Sequence, residues 1–183
     1  MAKIYQKEQP APVDRVTLGV QKALSSGIGW LDSIFGVCTT VKRSRRDGGS
    51  RKIRVAVWPK GDGDYIEIIP DDQRHGNTAF FLLDDPADEQ FEGRWSRTFN
   101  LFVWGDLRKV MDGGYNSEWA ADQLLHVLSG TTTREGSITL DKVYMRPENF
   151  TRGFDLEETD DQYLVHPFFG IRITGKIYYD ETC

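Results

Sequence analysis

The sequence predicts an α+β fold, a mostly antiparallel sheet with helices packed on one face and a projecting β-hairpin arm. Three observations carry that expectation. Apolar residues recur at three- and four-residue steps in only two stretches, around residues 13–24 and 117–130. Elsewhere the apolar period is two, in runs bounded by glycine, proline and aspartate. The runs follow one another instead of alternating regularly with helices, which favours segregated helices over a doubly wound sheet.

Residues 1–12 are polar with two prolines, and read as an extended arm that stays loose until it docks on a neighbour. Residues 13–183 read as one domain. Asp14 is placed to cap a helix whose stripe is Val13, Val16, Val20 and Leu24. "SSGIG" breaks that helix, and "WLDSIFG" adds a short turn ending at Gly36. "VCTTVKRSRR" and "RKIRVAVWP" flank Asp47-Gly48-Gly49, the signature of a hairpin over 37–58. "DYIEIIP" and "TAFFLLD" continue as strands.

"WSRTFNLFVWGD" sets Phe99, Leu101 and Val103 on one face and Phe102 and Trp104 on the other. A strand apolar on both faces is central to a sheet or covered by another subunit. The second alternative makes Phe102 and Trp104 candidates for an apolar interface, and strand Trp95–Trp104 a source of association energy. "NSEWAADQLLHVLSG" is a capped helix burying Ala120, Leu124, Val127 and Leu128. "SITLDKVYM" and "FGIRITGKIYYD" close the chain as strands. In the last, Ile171, Ile173 and Ile177 face inward and Arg172, Thr174 and Lys176 outward.

Chemistry is sparse. At 183 residues with 39% apolar content the chain forms a proper core, and its net charge of −5 argues against general nucleic-acid binding. Cys38 and Cys183 have no metal spacing and suggest a reducing compartment. The first residues lack the apolar run of a signal peptide, and no stretch reaches the roughly 18 apolar residues of a membrane helix. "GIG" and "DGGSRK" are incomplete phosphate-binding patterns, and "DGD" at 62–64 lacks the later ligands of a calcium loop. The three histidines are scattered. No catalytic, cofactor or metal site is expected, although a hydrolase with an acidic pair would escape this reading.

What stands out is charge segregation. "RSRRDGGSRKIR" carries Arg43, Arg45, Arg46, Arg51, Lys52 and Arg54 against a single acid. "DDPADEQFE" and "DLEETDDQ" carry acids and no base, among them Asp84, Asp85, Asp88, Glu89, Glu157, Glu158, Asp160 and Asp161. The basic tip reads in three ways: a solvated turn, a phosphate contact, or one half of a contact between identical subunits whose acidic loops are the other half. A heterologous contact of that kind closes into rings. It requires the arm and the acidic loops to lie apart within one chain.

The order of elements, with "FNLFVWGD" running into "EWAADQLLHVLSG" and the ending "YLVHPFFGIRITGKIYY", resembles the small α+β proteins at the neck and tail of tailed bacteriophages. These are tail terminator, tail completion and head–tail connector ring proteins. The resemblance covers most of residues 13–180 as an arrangement of elements, with "HPFFGIRI" its most suggestive piece. It implies a virion structural protein, a non-enzymatic homo-oligomeric ring assembled in the host cytoplasm without cofactor or membrane. Its partners would be other neck or tail proteins and DNA passing through the channel, which the acidic loops could line. The basic tip is more concentrated than the family leads one to expect. Contact with DNA, a sister subunit or another ring therefore stays open, as does an alternative reading as a nucleic-acid-binding accessory protein.

Overall fold

A computed structural model describes residues 1–183 apart from 47, 62, 69, 71–72, 85–88, 92–93, 111–115, 157–163 and 181–183, and apart from the side chains of 89–91. Strand β1 (Lys3–Tyr5) leads into helix α1 (Pro12–Gly27). Pro12 starts the helix, where its missing N–H is no loss. Asp14 sits one turn inside instead of at the cap, and its carboxylate accepts from Ala11 N at 3.0 Å and Lys7 Nζ at 2.8 Å. Val16, Val20 and Leu24 are fully buried, and the helix runs through Ser25 and Ser26 to Gly27.

The expected turn in "WLDSIFG" is instead the start of β2 (Ser33–Ser44). Ile34 and Phe35 there point into different cores, so the run is apolar on both sides and carries no period to separate strand from helix. Next come β3 (Lys52–Gly61), β4 (Asp64–Glu67), β5 (Thr78–Leu83), β6 (Glu89–Phe91) and β7 (Arg94–Asp106). Short α2 (Leu107–Val110) precedes α3 (Ser117–Ser129), which Asn116 caps by accepting from Glu118 N at 2.8 Å. Then follow β8 (Thr132–Thr133), β9 (Gly136–Tyr144), α4 (Pro147–Phe150) and β10 (Phe168–Tyr179).

The strands form one sheet in the order β4-β3-β2-β5-β7-β10-β9-β8, with β1 on β2 and β6 on β7. Pairing is antiparallel except that β1 and β5 both run parallel to β2. Helices α1 and α3 cover one face, over Ile34, Phe81, Leu101, Val103 and Ile173. The α+β expectation with long helices on one face therefore holds. At the join of β9 and β10 the register shifts by a bulge at Gly175, where a Cβ would meet the Thr139 carbonyl and the Phe99 ring.

The opposite face corrects an expectation. Phe102 and Trp104 are not an interface: they are 0% and 2% exposed. Phe102 stacks on Phe80 at 5.0 Å and meets Phe150 and Phe154 edge-on at 5.7 and 5.1 Å. Trp104 stacks on Phe168 at 5.7 Å. Strand β7 lies between β5 and β10 in mid-sheet, and α4 with the turn after it forms the lid over its aromatic face.

The N-terminal arm is also already docked, on its own chain. Residues 3–5 pair with β2, Ala2 is buried, and Gln21 Nε2 donates to the carbonyls of Tyr5 (3.0 Å) and Ile34 (2.9 Å). A buried glutamine that ties strand to helix in this way fixes the arm's position.

Candidate functional site

The hairpin forms where the sequence places it, as a two-stranded arm whose root is flanked by β4. β2 pairs with β5 as far as Cys38↔Leu82; from Thr39↔Val57 to Ser44↔Lys52 it pairs with β3. β4 pairs with the root of β3, from Val57↔Glu67 to Gly61↔Asp64, so the blade that extends past the end of β5 is the two-stranded stretch of β2 and β3. Gly48 adopts φ +80°, the left-handed conformation a tight turn needs. Ile53, Val55 and Val57 are buried with Val41 in a small cluster of their own on one face of the blade.

Part of the basic tip is neutralised locally. Arg43 clasps Glu67 with two parallel bonds, Nε–Oε2 at 3.0 Å and Nη2–Oε1 at 2.7 Å, and Arg46 Nη2 adds a third at 2.9 Å. The fork geometry suits a carboxylate and fixes Arg43, which is only partly exposed, over the valine cluster. Arg45 is partly exposed, whereas Arg51, Lys52 and Arg54 are exposed.

The second acidic stretch begins against the blade. Asp155 N donates to the Arg54 carbonyl at 2.6 Å, and Arg54 N donates to Asp155 Oδ2 at 2.9 Å. The arm and the start of this loop are thus neighbours within one chain, contrary to what their pairing between subunits requires. A recess of about 330 Å³ beside this contact is lined by Lys42, Lys52, Arg54 and Asp155. Glu157, Glu158, Asp160 and Asp161 lie outside the described residues, as do Asp85 and Asp88; for Glu89 only the backbone, in β6, is described.

Asp84, the remaining acidic candidate, lies in a feature that sequence reasoning missed. Where the blade leaves the sheet there is a cleft of about 580 Å³, walled by Thr40 and Arg54 on one side, Asp84, Arg97 and Asn100 on the other, and Arg152 above. Lys7 and Asp14 on its rim pair with each other. Behind Asn100 sits Arg172, expected to face water but only 2% exposed. Its Nη1 donates to Asn100 Oδ1 at 3.1 Å, and Asn100 Nδ2 donates to Asp84 Oδ1 at 2.8 Å. The guanidinium lies 4.1 Å from the centre of the Tyr144 ring. Burial, then repulsion from Arg152, hold Arg172 below its ordinary pKa, and Tyr144 and Asp84 partly offset this. Arginine stays protonated regardless, so the charge is permanent.

No periodic signal marks Arg172, because its place in β10 looks outward until the Phe102↔Arg172↔Tyr144 register is known. Cys38 is no candidate nucleophile, since burial pushes its thiol far above the ordinary range. Among the described residues no group of His, Cys, Asp and Glu could hold a metal, and no helix is long and apolar enough to cross a membrane. Compared with known proteins, the chain matches no family model, and no curated protein is significantly similar to it.

Proposed function

We propose that the protein is a non-enzymatic structural subunit of an oligomeric ring in a phage neck or tail, of the head–tail joining or tail-terminating kind. The observation that carries this reading is the blade: six paired positions of β2 and β3 that extend beyond the neighbouring strand and end in exposed cations. An extension rooted in the sheet through β2, with Arg43 forked onto Glu67, is suited to reach a neighbour without losing its shape. The phage-like order of elements supports the same reading.

The geometry also limits the form of the contact. Association does not draw on Phe102 and Trp104, and the blade does not need the start of the second acidic loop from another subunit, because it has its own Asp155. Arg51 and Lys52 are the cations of the tip offered outward, and they supply register more than affinity.

Sedimentation velocity across protein concentration, at low and at high salt, tests the proposal. A discrete oligomer that weakens with salt, and weakens further in Arg51→Glu/Lys52→Glu, is the expected result. A strict monomer at every concentration removes self-assembly as an intrinsic property. Salt-steep binding of duplex DNA by that monomer, abolished by the same double variant, would replace the ring with the nucleic-acid-binding alternative.

A further inference from the structure

We propose that the open edge of β9, from Ile138 to Met145, is a self-complementary docking strand that pairs antiparallel with the same strand of a second copy across a two-fold axis. The inference does not rest on the ring or on the blade. It rests on the order of residues along one unpaired strand.

β9 pairs with β10 from Gly136 to Tyr144, but on its other side β8 reaches only Gly136 and Ser137. From Ile138 onward no described strand lies on that side, and no backbone hydrogen bond from a described turn or loop reaches it. A row of unspent N–H and C=O groups at a sheet edge is a template for another strand.

The pattern along the edge decides which strand fits. Asp141 is an extra residue: Lys142 pairs with Thr174 and Leu140 with Gly175, leaving it between them. Strict alternation would set Leu140 and Val143 on opposite faces. The bulge resets it, so that Ile138, Leu140, Val143 and Met145 all pack, half-buried, against the helix-covered core. Read outward from between Asp141 and Lys142, both directions give one order: charged, apolar, hydroxyl-bearing, apolar. Two copies laid antiparallel about that point set Asp141 against the partner's Lys142, Leu140 against the partner's Val143 and Ile138 against the partner's Met145. Each pair occurs twice, and opposite-charge and apolar cross-strand pairs both stabilise a ladder.

The charges single out the occupant. Asp141 and Lys142 are exposed, and neither side chain has an ionic partner among the described residues. Such charges on an edge discourage strands that lack the complementary order. A second copy supplies that order, in the isologous contact of a two-fold dimer.

Sedimentation equilibrium of the full chain, up to millimolar concentration, tests the proposal. The wild type should associate in pairs, of single chains or of whole rings. Asp141→Lys and Lys142→Asp each set like charges face to face and should weaken pairing at least about tenfold, halving the mass. An equimolar mixture of the two variants brings opposite charges together again and should recover wild-type affinity, as should the swapped chain Asp141→Lys/Lys142→Asp. Arg51→Glu/Lys52→Glu should leave pairing unchanged, which separates it from a contact made by the blade. Pairing that survives in both single variants, or a mixture that stays dissociated, overturns the proposal. So does a strictly monomeric wild type, which would leave this edge to a strand of another protein. Both substituted side chains are exposed, so unchanged circular dichroism is expected and excludes misfolding as the cause.

Discussion

At the end of β7, Asp106 shows how one buried carboxylate holds a strand-to-helix junction. It accepts from Arg108 N at 2.9 Å, Nε at 2.9 Å and Nη2 at 2.7 Å, while its own N–H donates to Asn77 Oδ1 at 2.9 Å. Burial raises its pKa, but the hydrogen bonds and charge of Arg108 outweigh burial and hold the carboxyl below the usual carboxylate value. A group lowered in the native state stabilises fully above its unfolded value and ceases to do so as pH falls through the native one. Asp106→Asn should therefore lose about 1–3 kcal/mol at neutral pH. Because Arg108 is half exposed, the lower end applies. The gap to the wild type should narrow as pH drops below about 4. Urea melts of both proteins across pH check this; a gap that widens in acid refutes it.

The lid over β7 raises the same question for an element. Phe150 and Phe154, from α4 and the turn after it, close on Phe80 and Phe102, which makes the aromatic face an interior. Phe102→Ala should then cost about 3–5 kcal/mol of folding stability. The urea midpoint should fall equally at all protein concentrations, whereas an interface residue would make the loss concentration-dependent. The lid was illegible in the sequence for a physical reason. α4 is four residues long, too short for a helical period, and the rings it covers, Phe80 and Phe102, are more than forty residues away in the chain. Long elements were legible, since α3, β7 and the β2–β3 hairpin carry clear periods and turn residues. The cleft was not, because Asp84, Asn100, Arg152 and Arg172 come from four separate segments that only the sheet register unites. Asp155→Ala tests the lid's other tether. Losing its bond to Arg54 N should destabilise by about 1 kcal/mol and quicken amide exchange at Arg54.

For the whole molecule, the two cores share their central strands and the blade does not. β7 contributes Phe99, Leu101 and Val103 to the helix-covered core and Phe102 and Trp104 to the lid-covered one, so neither face can open while the other stays closed. At the blade's root Ala56 reaches the lid-covered core; the rest of its apolar burial, among the described residues, is the separate cluster of Ile53, Val55 and Val57 with Val41. Small clusters with exposed edges open locally at a fraction of the global free energy. Hydrogen exchange on the isolated chain should find the amides of β7 and β10 exchanging only through global unfolding. Those from Thr39 to Ser44 and Lys52 to Val57 should exchange through smaller openings, with weak denaturant dependence. If the blade is the element that reaches a neighbour, assembly should slow exchange there and leave β7 unchanged. Equal protection of blade and β7 in the isolated chain would show that the blade belongs to the same cooperative unit. An assembled form without added protection in the blade would move the contact elsewhere on the molecule.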